Sequence, residues 1–437
     1  MSISTRSRVP SARRGSAFRL FTGLGTLLVA MGAQAAPTGT TLAAAIDLAL
    51  QHSAIPRSAQ SAVLASREMV IKAGQLPDPH LKLGVDNLPV TGRDRLSITR
   101  DFMTMRRIGI EQQWVSSDKR GARTARAERA VEVEESNYLT SVAKVREETA
   151  VAWFNVLYAQ RALDLYKALE SETAQDLTTG KAAFKGAKLT ASDVTQSQVA
   201  LSQAQDRIRK GQQVLRSAQI ALRRWTTVPV ENVADEVPLY VSHIAALPVA
   251  ELEKYHPMLL NAKRAMSLAD ADTDVAVRDR SADWTYEASF SQRGSQYSNM
   301  VSVGVNIPLT LNRGQRQDRD VAEKSALATR ARLQYEDALL ALRAELDEES
   351  ATLTSLNARV AQLDATLLPP TRQQVELSMA AYRSGTGPLA AIFNAKKAVL
   401  EVQMQILDVE RDAATTWARL EYHVIPHDQN AMMGVPQ

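Results

Sequence analysis

FKGAKLTASDVTQSQVALSQAQDRIRKGQQVLRSAQIAL, residues 184–222, decides how this chain folds, because the chain carries the pattern twice. Apolar residues fall at every seventh position: Val194, Leu201, Ile208, Leu215 and Leu222. Moving 198 residues along gives Ile392, Val399, Ile406, Ala413 and Leu420, which keep the same beat. A small-residue turn precedes each run, Phe184-Lys185-Gly186-Ala187-Lys188 and Tyr382-Arg383-Ser384-Gly385-Thr386. A seven-residue apolar beat held over several heptads specifies a helix seamed against other helices. A glycine-containing turn just ahead of it specifies a chain that doubles back. The sequence therefore predicts two long helical hairpins and an internal duplication.

Composition agrees with long helices. The 437 residues are 45% hydrophobic but only 5% aromatic, poor in the bulky side chains that fill a wide globular core. The net charge of +4 comes from the first 35 residues, which hold Arg6, Arg8, Arg13, Arg14 and Arg19 and no acid. The rest carries 47 basic against 48 acidic residues, so charge gives no support to a nucleic-acid partner. The same 35 residues read as an export signal: a basic segment, an apolar run from Leu20 to Met31, then Ala33-Gln34-Ala35 with cleavage after Ala35. Arg13-Arg14 reads as part of an ordinary basic segment rather than a twin-arginine signal. With no cysteine there is no disulfide, thiolate ligand or N-terminal lipid on cysteine. After the signal no apolar run approaches the roughly 18 residues that a membrane helix needs.

In the first repeat, residues 36–225, a helix is expected from Thr41 to Ala73, with Pro56 starting a second segment. Leu81, Leu83 and Val85 then alternate with Lys82, Gly84 and Asp86, a strand with one apolar face. Residues 87–105 read as a polar connection, and Ile108, Ile110 and Trp114 mark a second strand. From Lys119 to Lys185 there is no proline, which predicts a helix of about 100 Å. A linker over 226–250 leads to the second repeat, 251–424, which opens on Pro257 and a helix over 258–278. Trp284, Tyr286, Ala288 and Phe290, then Val301, Val303, Val305 and Ile307, give two more alternating strands. Helix is expected from about Gln315 to Leu368, broken or kinked by Pro369-Pro370, then hairpinning at Gly385. The tail, 425–437, reads as irregular.

Four strands with one apolar face cannot close on themselves, and open edges are not tolerated in hydrocarbon. Several chains must pool their strands. The doubled turn-plus-heptad pattern, Pro257, Pro308-Leu309 and the signal together resemble the TolC family of outer-membrane efflux proteins, over essentially the whole mature chain. Gln75-Leu76-Pro77-Asp78-Pro79, Asn87-Leu88-Pro89-Val90 and the run from Asp101 to Gly109 further resemble the branch serving heavy-metal resistance pumps. The resemblance implies a mainly α fold with a small β part. In it a homotrimer forms a twelve-stranded transmembrane β-barrel in outer-membrane lipid, continued by a twelve-helix barrel across the periplasm. It implies a passive exit duct working with a periplasmic adaptor and an inner-membrane RND transporter, with residues 226–250 and the tail as an equatorial belt.

The resemblance places adaptor docking at the periplasmic tips, Phe184, Gly186 and Leu189 in one hairpin and Tyr382, Arg383, Gly385 and Leu389 in the other. The other reading of these residues is merely tight helical turns. A possible pore constriction falls on Asp193 and Asn394; Ala391 and Asn394 stand where the family carries acids, so an acidic constriction would rest on Asp193 alone. Asp193 reads equally as a helix N-terminal acid favoured by the dipole. The first repeat has Val115 where the second has Pro308. Met103 and Met105 read as apolar side chains beside the membrane rather than metal ligands. His423 and His427 flank Pro426 and form no metal site. Trp114, Trp284, Tyr286 and Tyr297 form either an interfacial girdle or protomer contacts. No catalytic motif and no cofactor-binding loop is present, so the expectation is a transport duct without enzyme activity. The alternatives are a multidrug or type I secretion duct and, from a different class, a periplasmic coiled-coil adaptor.

Overall fold

The computed structural model describes residues 39–186, 190–235 and 237–425. The proposed signal through Ala35, the tip residue Leu189, His427 and all of the tail but Ile425 lie outside the described residues.

Helix α1 (Leu42–His52) is capped by the Thr41 side chain, and α2 (Ala54–Ala73) by that of Ser53. The break between them is at Ser53, three residues before Pro56. Ser53 is extended and its hydroxyl accepts the Ile55 N–H, while Pro56 fits inside the first turn, where its missing N–H costs nothing. Strands β1 (His80–Asp86) and β2 (Met105–Trp114) follow. Helix α3 (Ser117–Lys185) runs 69 residues without a break, about 100 Å, and α4 (Ala191–Thr226) returns along it. The second half repeats the order. After the short α5 (Val249–Tyr255) come α6 (Pro257–Asp279), β3 (Trp284–Gln292), β4 (Met300–Asn306), α7 (Gln317–Gln362), α8 (Leu368–Arg383) and α9 (Leu389–Tyr422).

Pro369-Pro370 does not break the second long helix. Residues Leu363–Leu367 form a π-turn joining α7 to α8, and both prolines sit in the first turn of α8. A proline ring collides with the carbonyl four residues back, and a wider i→i+5 turn relieves that collision. Thr366 and Thr371 donate their hydroxyls to the carbonyls of Gln362 and Leu367, at 2.7 and 2.6 Å.

The four strands form one antiparallel sheet in the order β1-β2-β3-β4, so the β2–β3 pair joins the two repeats. Gly109 lies opposite Ser289, where a Cβ would stand 2.8 Å from the serine Cβ. At this position only glycine fits.

The helices continue the sheet's order. In the stretch nearest the sheet α2 packs on α3, α3 on α6 and α6 on α7. Towards the hairpin tips the neighbours are α4 with α3, α3 with α9 and α9 with α8. Midway, several of the scarce aromatic residues meet in one core. Trp153 and Phe154 are fully buried beside Ala45, Ala49, Leu222, Ala414 and Ala418. Phe154 meets Trp153, Tyr240 and Trp417 edge to face. Each such ring, fully buried, contributes about 2–3 kcal/mol. The linker packs here too: Val230, Val233 and Ala234 are buried, and the Trp153 indole donates to the Thr40 carbonyl at 2.9 Å. Among the described residues no helix is long and apolar enough to cross a membrane.

Of the apolar beat on α4, Leu222 is fully buried, but Val194, Leu201, Ile208 and Leu215 are half-buried and are not the deepest positions of the helix between them. Before that C-terminal turn the buried positions are the small residues Ser197, Ala204 and Gly211, also seven apart. A Cβ at Gly211 would approach Tyr166 to 3.0 Å. The coiled-coil seam is therefore closed by small residues that let the helices approach, with the larger aliphatic residues on its flank.

Candidate functional site

The sheet has two chemically different faces because side chains alternate along each strand. Leu81 and Leu83 share one face with Ile108, Ile110, Tyr286, Ala288, Phe290, Val301, Val303 and Val305, as the register Leu83–Ile108–Phe290–Val301 shows. These residues are exposed although apolar; Val303 is 79% exposed. A surface of that kind is not a water-facing one.

The opposite face is a ladder of charges. Glu111 and Glu287 stand directly across the β2–β3 pair. Lys82 bonds both, its ammonium lying 3.2 Å from the Glu287 carboxylate and in closer contact with Glu111. Arg107 reaches Asp86 at 3.2 Å and Glu287 at 3.7 Å. Gly84, Gly109 and Gly304 share this face, leaving room for long side chains to lie across the strands. Three carboxylates meet two cations, a surplus of one negative charge per chain. Only the alternation of these residues was visible in the sequence. Their mutual contacts depend on register, which a single sequence does not specify.

Both edges of the sheet are open. No described strand pairs with the outer side of β1 or of β4. The same holds for the flanking helices, where α2 exposes Leu64 and Ile71 and α7 exposes Leu327, Leu333 and Leu340. Trp114 and Trp284 face each other where the sheet meets the helices, half exposed, with Tyr286 beside Trp284. Tyr297 sits at the other end, in the β3–β4 loop, so these four aromatics do not form a single belt. The β1–β2 connection is less polar than expected: Val90, Leu96, Ile98, Phe102 and Met103 are all exposed.

At the far ends of the helices the two hairpin tips lie together. Phe184 is exposed and α3 stops at Gly186. Asp193 belongs to a capping box: its carboxylate accepts the Thr190 N–H, and the Thr190 hydroxyl oxygen accepts the Asp193 N–H at 3.2 Å. In the other tip, Tyr382 and Arg383 end α8, Gly385 turns the chain at φ +77°, and Leu389 starts α9 after Pro388. Burial, then the nearby Asp193 carboxylate, push the Tyr382 hydroxyl above its usual pKa. Asn394 is exposed one turn into α9. Next to it Lys396 crosses to α3, 2.7 Å from Asp176 and 3.6 Å from Glu172. Sequence reasoning missed this pair because its members stand 220 residues apart.

His423 pairs with Glu147 at 3.0 Å, which holds its imidazole above its usual pKa. His256 packs edge-on against it, buried, with neither ring nitrogen bonded, and burial pushes its pKa down to about 4. Among the described residues no group of three or more His, Cys, Asp or Glu could hold a metal ion.

Residues 250–422 match the family described as outer membrane efflux protein. Over 407 residues the chain is 23% identical to the cobalt-zinc-cadmium resistance protein CzcC of Cupriavidus metallidurans, covering 91% of this chain and 93% of that protein. A membrane protein from Pseudomonas aeruginosa has the same fold at TM-score 0.75 and 16% identity, covering 87% of this chain and 89% of the other. CusC, whose structures concern folding and transmembrane channel formation, follows at 0.73 and 14% identity, covering 87% and 91%.

Proposed function

We propose that the chain is an outer membrane efflux protein of the TolC type, as the match over residues 250–422 and the similarity to CzcC support, and that three copies close into one duct that carries heavy-metal cations out of the cell. The observation that carries this reading is the unfinished sheet, with its apolar outer face, charged inner face and two open edges. Two copies would make eight strands, a barrel whose interior is filled by its own side chains. Three make twelve and leave a wet bore. The helices follow the same arithmetic, with α7 of one copy closing on α2 of the next where β4 closes on β1.

The cation assignment rests on the similarity to a cobalt-zinc-cadmium resistance protein and on the surplus negative charge of the inner face. A duct needs no tight binding site. Energy and selectivity come from an RND-type transporter in the inner membrane, joined through a periplasmic adaptor. Phe184, Gly186, Leu189, Tyr382, Arg383, Gly385 and Leu389 form the docking end, with Asp193 and Asn394 at the mouth.

Deletion of the gene tests the cargo. Growth should fail on cobalt, zinc, cadmium, copper or silver salts and recover on complementation. Loss of drug tolerance with intact metal tolerance would reassign the duct to multidrug export. A product found wholly soluble in the periplasm would instead make it an adaptor-like coiled coil.

A further inference from the structure

The end of the sheet remote from the helices is closed by two loops, residues 87–104 between β1 and β2 and residues 293–299 between β3 and β4. They form one fixed cap. The Arg293 guanidinium donates to the Phe102 carbonyl, Nε at 2.9 Å, and stacks 5.0 Å over the Tyr297 ring. Arg106 donates to the Arg293 carbonyl at 3.2 Å, and any side chain at Gly294 would collide with the Thr99 carbonyl. Leu96 is held in the left-handed region, φ 54°, by a 2.7 Å bond from its N–H to the Pro89 carbonyl. A leucine in that conformation is strained, so the loop is shaped at a cost.

The apolar residues of this cap do not suit a loop that merely faces water, and its exposed arginines are free to take an anion. Val90, Leu96, Ile98 and Phe102 are large, apolar and between 45% and 69% exposed. Among them stand Arg93, Arg95 and Arg100, all exposed, none of which makes an ion pair with a described residue. Elsewhere the arginines beside the sheet are engaged: Arg107 with Asp86, Arg123 with Asp279, Arg126 with Asp272. Residues 87–106 and 292–300 contain five arginines, Arg93, Arg95, Arg100, Arg106 and Arg293, against Asp94 and Asp101. The Asp101 carboxylate is already taken by the Met103 N–H at 2.8 Å. Arg106 lies in register with Val85 and Gln292, on the apolar outer face, half-buried and with its Nε both buried and unbonded.

We propose that this cap docks the phosphate-bearing headgroups of the outer-leaflet lipid. The apolar residues enter the upper acyl region, while Arg93, Arg95 and Arg100 take the phosphates. Arginine suits that ligand because its planar fork pairs two phosphate oxygens at once. The acidic ladder lies on the other face of the sheet, where Lys82 and Arg107 are already paired, whereas Arg106 stands on the apolar face. The inference rests on the outer-membrane placement of the sheet and adds a specific lipid to it.

The test uses the purified assembled protein in detergent, with diphosphoryl lipid A, dephosphorylated lipid A and inorganic phosphate as separate probes in native mass spectrometry. The wild type should retain the diphosphorylated lipid in preference to the dephosphorylated one, and lose it as salt rises. Each basic residue at an anionic surface is worth about fivefold, so the R93Q/R95Q/R100Q variant should bind about a hundredfold more weakly. Equal retention of both lipids, or unchanged binding by the variant, would overturn the proposal. So would displacement of the lipid by equimolar inorganic phosphate, which would indicate a free-anion site. Trimer and channel conductance should survive in the variant; if the trimer falls apart, the cap's occupant is the neighbouring copy instead. A wild type that fails to insert at all contradicts the duct reading and not the chemistry of the cap.

Discussion

Lys82 lies between two carboxylates that would otherwise repel across a strand pair. Lys82→Met should therefore lower the temperature at which the assembled barrel comes apart, and adding Glu111→Gln and Glu287→Gln should restore it. Unheated gel mobility against temperature reads both; a triple variant no more stable than the single one contradicts the account. Gly211 is the corresponding point in the helices. Leucine there must displace Tyr166 and Leu163, and overpacking of this kind costs about 1–3 kcal/mol. His256 gives the pH dependence. Its folded pKa of about 4 lies below the ordinary 6.5, so the unfolded chain takes up the proton first. Stability held above pH 6.5 is lost as pH falls through 4, in all about 3 kcal/mol. His423, raised by Glu147 and facing Glu349 and Glu345, works in the opposite sense: its contribution is full below 6.5 and lost as pH rises through its raised value. Thermal melts from pH 7 to 4 should steepen for the wild type and flatten for His256→Gln. Equal slopes would rule His256 out.

At the scale of elements, the tips offer a separate check. Removing the capping box with Asp193→Ala should cost about 1 kcal/mol of local stability, read as faster amide exchange over the first turns of α4. Unchanged exchange there would show that the box does not hold the tip. The hairpins, the strands and the doubled order were legible because each depends on local periodicity. Leu389–Tyr422 and the proline-free α3 follow directly from spacing and from the absence of breakers. Three features were not legible, each for a physical reason. The π-turn ahead of Pro369-Pro370 is a change in backbone hydrogen-bond spacing that no residue pattern marks. The small-residue seam at Ser197, Ala204 and Gly211 is outweighed, in any hydrophobic pattern, by the aliphatic residues beside it. The apolar residues of 87–104 carry no period, so nothing in the sequence sets them apart from a polar connection.

For the whole molecule the claim is closure: a four-stranded sheet with two free edges, in a chain that has no cysteine of its own. That absence makes one measurement direct. Paired cysteines placed on β1 (at Leu81, Leu83 or Val85) and on β4 (at Val303) should, in one register, oxidise in cells to a covalent species of three chains and no larger. A product that stays monomeric in every register, or that extends beyond three chains, would contradict the closed ring.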